Sequence, residues 1–532
     1  MARRSHTGKR QTNTSMSLPP FTGGVNSQAA LREMQPNEMI FGYNIISKQQ
    51  GLETRKGTQE WNNSINSYGR TVIPFESQDG TKKLFICGTD GIYEATTSGD
   101  GTASKVYSFS VTGVTSGYGV FVQFTNDAGA AFILYADSAN GLLEYTVASN
   151  SWGVPSGITG CTVGDIRFVG IHKQRVWFAV ENSDVGYYLP IGSKAGSATA
   201  FYFGGLFPNG GDLVGFWTWT RDGGNGIDDY FIAISRGGDL LAYQGADPSS
   251  ASTWSLVGNW HLGQVPAGRR VAISYGGELF VLSLYGVITL SALFRGVDIS
   301  DFKFNVTAKI TDLIRDRMLT EINNDRWELQ VYAQEGLLIV NSPSRPGQTD
   351  QYLQYVFNFT KQAWGLWRGI NMYTSAPWNE FLYITDDSGI VWYLTDGPDN
   401  RLIADTDSSE VIPVDFSLLS AYQKNTQGVH GIAELVRATF SGQDAVGHAC
   451  RIVYDYELDE LDPVGEASSS DGPIWDTDVW DTAVWSGTST PRSTIQGTSG
   501  IGRSFAVAVR GSVSFQTKLI DVDIVARSGG WL

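Results

Sequence analysis

The chain has 532 residues, of which 42% are hydrophobic and 17% are charged, and its formal net charge is −16. This length exceeds one ordinary core, so we expect two or three domains, and the acid excess argues against a protein that coats nucleic acid, since phosphate binding relies on Lys and Arg. No run of about 18 apolar residues occurs, so no membrane span is predicted.

The first 20 residues are polar and carry four basic side chains, Arg3, Arg4, Lys9 and Arg10. They lack the apolar middle of a secretory signal, so an intracellular place of synthesis is the default expectation. Nothing in this stretch could pack a core. Residues 1–20 are therefore predicted to be a flexible basic arm that a partner orders, or simply a disordered tail.

Residues 21–70 are predicted to form a distinct opening segment. It runs from Phe21 through Tyr43 to Gly51 and Gly57, and the two glycines stand where strand turns are expected. Pro36–Phe41 is compatible with one short helical turn, because Pro is tolerated at the first helical position.

Residues 71–400 repeat a short hairpin phrase roughly every 45–60 residues, an apolar strand, a glycine turn and a second apolar strand. Five copies are clear and two are weaker. The clear copies are 84–93, 132–145, 231–243, 279–290 and 381–393, and the weaker ones are 176–180 and 337–340. One hairpin cannot bury both faces, so this spacing predicts an all-β fold in which the copies stack as a β-propeller of six to eight blades.

Three copies are followed by a tryptophan that leads a further strand, namely Trp152, Trp254 and Trp364. We interpret these as packing anchors between blades rather than as ligand-binding aromatics. Trp buries a large area, and each blade needs a large side chain to fill the space beside its neighbour. The array has one interruption, Val306–Asn323, whose apolar spacing is that of an amphipathic helix. This one inserted helix is predicted to be a packing or interface element.

Residues 401–532 differ in character and are predicted to form a small β-sandwich or barrel. Their acidic stretch carries Glu457, Asp459, Glu460 and Asp462. Three tryptophans then recur at intervals of five, at Trp475, Trp480 and Trp485.

The search for chemistry is mostly negative, and we predict no catalytic residue, no cofactor and no metal site. The sequence has no phosphate-binding Gly–Lys loop, no Gly-x-Ser-x-Gly elbow and no histidine pair at zinc-ligand spacing. Its three cysteines are too dispersed for a disulfide framework, and Cys87 and Cys450 are expected to be buried free thiols. The acidic pairs Asp228–Asp229 and Asp386–Asp387 could serve glycoside hydrolysis, although acids are also ordinary at turns.

Three landmarks, in their order along the chain, resemble the tail nozzle proteins of short-tailed bacteriophages, also called tail tubular or DNA-stabilisation proteins. They are the opener Gly23-Gly24-Val25-Asn26 with Met34, Pro36, Glu38, Asn44, Leu52 and Arg55-Lys56-Gly57; the blade phrase Tyr355–Trp367; and the tryptophan-spaced tail with Gly500–Arg503 and Phe505–Val509. The resemblance covers nearly the whole chain.

This resemblance implies a structural virion protein without enzymatic activity, synthesised in the host cytoplasm and located in the virion tail. It implies a homo-oligomeric ring, commonly a hexamer, below the adaptor and portal rings and in contact with tail fibre or needle proteins. The propeller (71–400) would lie outside, and the N- and C-terminal segments (21–70 and 401–532) would build a β-rich platform or tube. Double-stranded DNA would be retained by this nozzle and ejected through its lumen without sequence-specific binding.

Two site hypotheses follow from the charges. Arg3, Arg4, Lys9 and Arg10 are expected to contact a neighbouring subunit or ring, because their local charge is opposite to that of the whole chain. Some of Glu457, Asp459, Glu460 and Asp462 are expected to face the lumen, where an acidic wall would prevent phosphate from sticking.

Two alternatives stay open from the sequence. The first is a glycan-binding or glycan-cleaving propeller of a tail receptor-binding protein, which should keep acids and Trp together at the propeller axis. The second is a free-standing scaffold propeller that binds other proteins. The opening and closing segments count against a free-standing scaffold, which does not need them.

Overall fold

The computed structural model describes residues 14–65, 68–99, 101–222, 227–296, 305–348, 350–401, 412–424, 431–443, 446–463 and 490–528. The N-terminal part contributes six strands before the repeats begin. They are β1 (Thr14–Leu18), β2 (Gly24–Val25), β3 (Glu38–Tyr43), β4 (Ile45–Lys48), β5 (Gly51–Thr54) and β6 (Gly57–Asn62).

Four antiparallel sheets follow in chain order, each a meander of four strands. The first two are β7 (Thr71–Glu76), β8 (Lys82–Cys87), β9 (Gly91–Glu94) and β10 (Ser104–Ser108), then β11 (Gly119–Thr125), β12 (Ala131–Asp137), β13 (Gly141–Thr146) and β14 (Ser151–Gly153). The next two are β16 (Ile166–His172), β17 (Arg175–Val180), β18 (Val185–Tyr188) and β20 (Thr199–Tyr202), then β21 (Leu213–Asp222), β22 (Ile227–Ser235), β23 (Asp239–Gly245) and β24 (Trp254–His261). A small parallel pair, β15 (Ile158–Thr159) and β19 (Gly196–Ser197), links the loops around the third sheet.

Three further meanders complete the array. The fifth has three strands, β25 (Ala272–Tyr275), β26 (Glu278–Ser283) and β27 (Gly286–Thr289), followed by the helices α1 (Leu290–Phe294) and α2 (Thr311–Glu321). The sixth and seventh comprise β28 (Glu328–Tyr332), β29 (Leu337–Asn341), β30 (Leu353–Asn358) and β31 (Ala363–Arg368), then β32 (Thr374–Trp378), β33 (Phe381–Thr385) and β34 (Val391–Thr395).

The first strands of the seven meanders surround one axis. Each of β7, β11, β16, β21, β25, β28 and β32 contacts the next in chain order, and β32 contacts β7. This closed ring is a β-propeller of seven blades, which confirms the predicted fold class.

The hairpin phrases of the sequence are the second and third strands of the blades. Each of the seven copies falls in a different blade, from β8–β9 in the first to β33–β34 in the seventh. These strands are buried on both faces between neighbouring blades, as in β12, where six of seven residues are buried. A strand covered on both sides favours a short unbroken apolar run, which explains why the phrase is so visible.

The ring closes with a strand from the start of the chain. β6 pairs with β34 as the outermost strand of the seventh blade, in a register that joins Thr58 to Leu394. Residues 57–62 therefore lie in the propeller and not in the N-terminal segment predicted for 21–70. Because the partners are far apart in sequence, the closure ties the N-terminal segment to the last blade.

The sixth blade continues into a platform built from both ends of the chain. β31 is followed in the same sheet by β3 and then by C-terminal strands, and a second sheet packs beside it. The C-terminal strands are β35 (Val414–Ser420), β36 (Gln423–Lys424), β37 (Gly431–Gly442), β38 (Gly447–Tyr454), β39 (Thr490–Gly497), β40 (Ser504–Val513) and β41 (Lys518–Ser528). We call this unit the platform: β35, β36, β38 and β40 extend the sheet of β3, whereas β1, β4, β5, β37, β39 and β41 form the other sheet.

The two platform sheets share one core. Phe416 on β35 and Phe440 on β37 meet with ring centroids 5.9 Å apart, and both are buried. Val509 and Ile524 belong to the same buried cluster. The platform is thus a sandwich, in which each sheet covers the apolar face of the other.

One of the two helical segments expected from the sequence is present in the structure, and the other is a strand. The helix predicted over Val306–Asn323 is confirmed as α2, and its Arg317, 1% exposed, donates to the carbonyls of Pro343 and Gln351 beside the sixth blade. The helical turn predicted over Pro36–Phe41 is wrong, because Glu38–Tyr43 pairs with β35 as a strand. Here the pairing offered by a neighbouring sheet outweighs a weak local signal.

Residues 14–18 are more ordered than the sequence suggested. Thr14–Leu18, expected to lie in a flexible arm, pairs with β41 as strand β1, and Leu18 is buried.

Cys87 and Cys450 are buried free thiols, as predicted, and burial raises the pKa of Cys450 to about 12. Within the ranges given above, no helix is long and apolar enough to cross a membrane.

Candidate functional site

The propeller axis holds a cavity of about 390 Å³ that all seven blades line. Its wall is mostly apolar and backbone, with residues such as Val120, Val169 and Ala272. Its charged residues are Arg269, Arg270 and Glu328. The two arginines come just before β25, the first strand of the fifth blade, and Glu328 begins β28, the first strand of the sixth.

Arg270 connects four blades at this axis. Its side chain is only 12% exposed, and its three nitrogens all donate hydrogen bonds. The acceptors are the carbonyls of Gly119 (2.9 Å) and Arg70 (2.9 Å), the hydroxyls of Thr71 (2.5 Å) and Thr374 (2.7 Å), and the Glu328 carboxylate (3.2 Å). These partners lie at the starts of the first strands of blades one, two, six and seven, so one guanidinium links four blades that include the first and the last.

Glu328 is the carboxylate partner of this guanidinium. It also accepts hydrogen bonds from the Thr374 hydroxyl at 3.1 Å and from the Ser375 backbone N–H at 3.3 Å. Burial raises the pKa of Glu328, while Arg270 and these donors favour its charged form. Both oxygens are thus committed to protein groups, which is the arrangement of a structural buried ion pair.

The axis does not gather the groups that a glycosidase would need. Hydrolysis of a glycosidic bond ordinarily uses two facing carboxyl groups, and among the residues that line the axial cavity Glu328 is the single acid and Trp217 the single tryptophan. The acidic pairs singled out in the sequence lie elsewhere. Asp386 accepts from the Ser388 hydroxyl and the Trp392 indole within the β33–β34 turn, and Asp229 accepts from Thr220 on β21.

The tryptophans predicted as packing anchors are buried. Trp152, Trp254 and Trp364 are 8%, 6% and 1% exposed, each in the outermost strand of its blade. Trp254 lies 5.4 Å from Tyr243 in its own blade and 6.0 Å from Trp177 in the preceding blade. Trp152 likewise lies 5.3 Å from Phe85 of the preceding blade, so packing between blades is confirmed for Trp152 and Trp254, whereas Trp364 is buried against Phe357 of its own blade.

The predicted basic contact residues Arg3, Arg4, Lys9 and Arg10 lie outside the described residues, as do the tryptophans of the tail. The four acids predicted to face the lumen follow β38, and they differ in solvent exposure. Glu457, Asp459 and Asp462 are exposed, whereas Glu460 is half-buried.

Glu460 joins the sixth blade to the platform. Its carboxylate accepts from both terminal nitrogens of Arg368 on β31 and from the Ser417 hydroxyl on β35 at 2.6 Å, and Arg510 on β40 lies 3.5 Å away. Burial opposes the charge of Glu460, but the hydrogen bonds from Arg368 and Ser417 outweigh it and hold the pKa of this carboxyl below its ordinary value. Glu460 thus links the sixth blade to the platform through hydrogen bonds within the protein.

We expect the Glu460→Gln variant to be less stable than the parent chain by about 1–3 kcal/mol near neutral pH, because a charged hydrogen-bond acceptor is lost. The pKa of Glu460 is lowered by folding, so its contribution is present above the ordinary carboxyl pKa of 4.5 and disappears as the pH falls through the lowered folded value. Urea unfolding at several pH values would show the two proteins converging in acid. The exposed Asp459→Asn variant is the matched control, and a gap that stays constant in acid would contradict the assignment.

Sequence reasoning missed Arg270 and the seventh-blade closure. The signal available for Arg270 was a pair of arginines immediately before a strand, Arg269-Arg270, in a chain with few basic residues. No local sequence feature identified the hydrogen-bond partners of Arg270, which come from four separate blades.

No protein-family profile matches this chain, and a search of curated proteins finds no relative. Among solved structures, the extracellular domain of a hybrid two-component system of B. thetaiotaomicron matches with a TM-score of 0.39 at 11% identity, covering 77% of this chain and 55% of that one. YCF48 bound to a D1 peptide matches with a TM-score of 0.35 at 12% identity, over 64% and 96% of the two chains. PorZ of the type-IX secretion system of Porphyromonas gingivalis matches with a TM-score of 0.34 at 13% identity, over 71% and 44%. The chain thus spans about half the length of the first and third of these proteins.

Proposed function

We propose that this chain is a structural subunit of the tail nozzle of a short-tailed bacteriophage, one member of a ring through which DNA is retained and ejected. The observation that carries the proposal is the continuity of the sixth blade with the platform. One sheet runs from β28 through β31 and β3 to β35 and β40, so the propeller is built into a unit made from both ends of the chain.

This continuity favours a subunit of an assembly over a free-standing scaffold. A scaffold propeller needs only its closed ring, whereas here the N-terminal strand β3 and the C-terminal strands extend the sixth blade into a platform. The sequence resemblance to nozzle proteins rests on the same regions, since its opener spans β2 to β6 and its blade phrase lies in β30 and β31. The net charge of −16 is compatible with a conduit that DNA passes without adhering.

The glycan-cleaving alternative receives less support. It predicts acids and tryptophans together at the axis, where the cavity lining offers Glu328 alone among acids, and this group is bonded to Arg270. Hexameric stoichiometry, adaptor or portal partners, and a place in the virion tail are parts of the proposal that follow from the resemblance.

Electron microscopy of the purified chain, alone and mixed with its adaptor ring, tests the proposal. Rings with a central opening, formed alone or on the adaptor, are the expected result. A chain that stays monomeric under both conditions and hydrolyses or retains glycans would overturn it.

The basic N-terminal residues give a separate prediction. Removal of residues 1–13 leaves β1 and its pairing with β41 intact, so the unfolding temperature of the subunit should not change. Ring formation or attachment to the adaptor should be lost, since Arg3, Arg4, Lys9 and Arg10 are removed together. Light scattering and circular dichroism would separate the two effects, and normal assembly of the truncated chain would refute the contact hypothesis.

A further inference from the structure

A second group of arginines lies at the end of the axis where the inner strands begin. Arg70 immediately precedes β7, Tyr373 immediately precedes β32, and Arg326 comes two residues before β28. The next residues, Thr71 and Thr374, line the axial cavity, so this group adjoins its end. We call Arg70, Arg326 and Tyr373 the mouth cluster.

Both arginines of the mouth cluster lie against the same aromatic ring. The guanidinium carbon of Arg326 is 3.5 Å from the centroid of the Tyr373 ring, and that of Arg70 is 5.5 Å from it. Arg70 also donates from Nη2 to the Tyr373 hydroxyl at 2.8 Å. Two positive charges are therefore held close together by one buried tyrosine.

Neither arginine forms an ion pair with another described residue. Arg70 is 8% exposed, and its Nε and Nη1 have no hydrogen-bond partner in the part of the chain that the structure describes. The ion pairs formed by the described residues include neither Arg70 nor Arg326; nearby Arg270, by contrast, has Glu328 as its counter-charge. A buried cation without a counter-ion is costly, and such a group ordinarily carries a paired anion.

The free hydrogen-bond donors of the cluster fit an anion. Arg70 offers unpaired N–H groups on Nε and Nη1, which lie on different edges of the guanidinium, so an oxyanion would take one of them beside the Tyr373 hydroxyl. The Tyr373 hydroxyl oxygen accepts from Arg70, which leaves its own O–H free to donate. Tyr68, which stacks on Tyr373 at 6.2 Å, is 43% exposed and brings the cluster to the surface.

We propose that the mouth cluster is a binding site for a single oxyanion, a phosphate or carboxylate group, held by Arg70 and Tyr373 with Arg326 supplying a second positive charge. The site is separate from the proposed nozzle function and does not depend on it. Its ligand is either a free ion or the acidic group of a partner, and the two share this chemistry.

Calorimetric titration of the full chain with inorganic phosphate, and separately with acetate, in chloride buffer of matched ionic strength tests the proposal. Saturable binding of one or both anions is expected, together with a higher unfolding temperature at saturation. Arg70→Gln should abolish binding, whereas Arg503→Gln, at an exposed position on the platform, should leave it unchanged. Preference for phosphate points to a free ion or phosphate group, and preference for acetate to a carboxylate of a partner.

A second variant protects the test against a folding defect. Tyr373→Phe keeps the ring and both arginines but removes the hydroxyl donor, so phosphate binding should weaken about tenfold. Absence of saturable binding of either anion to the parent chain would overturn the proposal. So would equal binding to the parent chain and to a folded Arg70→Gln protein, because the anion would then lie elsewhere.

Discussion

Replacement of Arg270 by Met is expected to lower the free energy of unfolding by about 3–5 kcal/mol, the cost of breaking a buried ion pair by removing one partner. The variant leaves the Glu328 carboxylate buried without its cation and leaves the Gly119 and Arg70 carbonyls without their donor. Because the lost bonds connect blades one, two, six and seven, unfolding should begin where the ring closes. Urea unfolding of the purified subunit measures the effect.

The matched control is the double variant Arg270→Met with Glu328→Met. Replacing both members of a buried pair by apolar groups is much less damaging than removing one, so part of the stability should return. A single variant that loses less than about 1 kcal/mol, the range of exposed ion pairs, would show that Arg270 does not hold the ring.

Replacement of Trp254 by Ala is expected to cost about 3–5 kcal/mol, the usual range for removing a large aromatic side chain from a core. Trp254 stacks on Tyr243 and Trp177 and lies 5.3 Å from Phe231, so its loss opens a cavity between blades three and four. Thermal unfolding followed by tryptophan fluorescence and circular dichroism measures the change.

Trp254→Phe distinguishes packing from a polar role. The Trp254 indole N–H has no hydrogen-bond partner among the described residues, so Trp254→Phe loses no such bond there and should cost much less than Trp254→Ala. The matched comparison is Trp364→Phe, where the indole donates to the Val306 carbonyl at 2.9 Å and its removal leaves that acceptor unpaired. If Trp254→Ala unfolded at the same temperature as the parent chain, the anchor assignment would be wrong.

The propeller was predictable because its signal is local. The run Leu84–Cys87 is apolar throughout, since β8 is covered on both faces, and Gly91 begins the next strand where the turn ends. The buried tryptophans were predictable for the same reason, because each stands in the strand that follows the apolar strands of its own blade. Such features depend on neighbours within one blade.

The closure and the axial site were not predictable, because they depend on residues far apart in sequence. No local property of Gly57–Asn62 identifies β34 as its partner, and Arg270 reads as an ordinary surface cation until four blades surround it. Glu460 likewise belongs to an acidic stretch by sequence, yet Arg368 and Ser417 bind it inside the junction. Its neighbours Asp459 and Asp462 remain exposed, which sequence alone could not distinguish.

The pairing of β6 with β34 has a consequence for biosynthesis. During translation, residues 57–62 leave the ribosome long before residues 391–395 are made. Strand β6 therefore has no pairing partner while the first six blades are synthesised. Edge strands left open in this way invite pairing with other nascent chains. The ring therefore cannot close until residues 391–395 have been made, and until then β6 is an open edge strand.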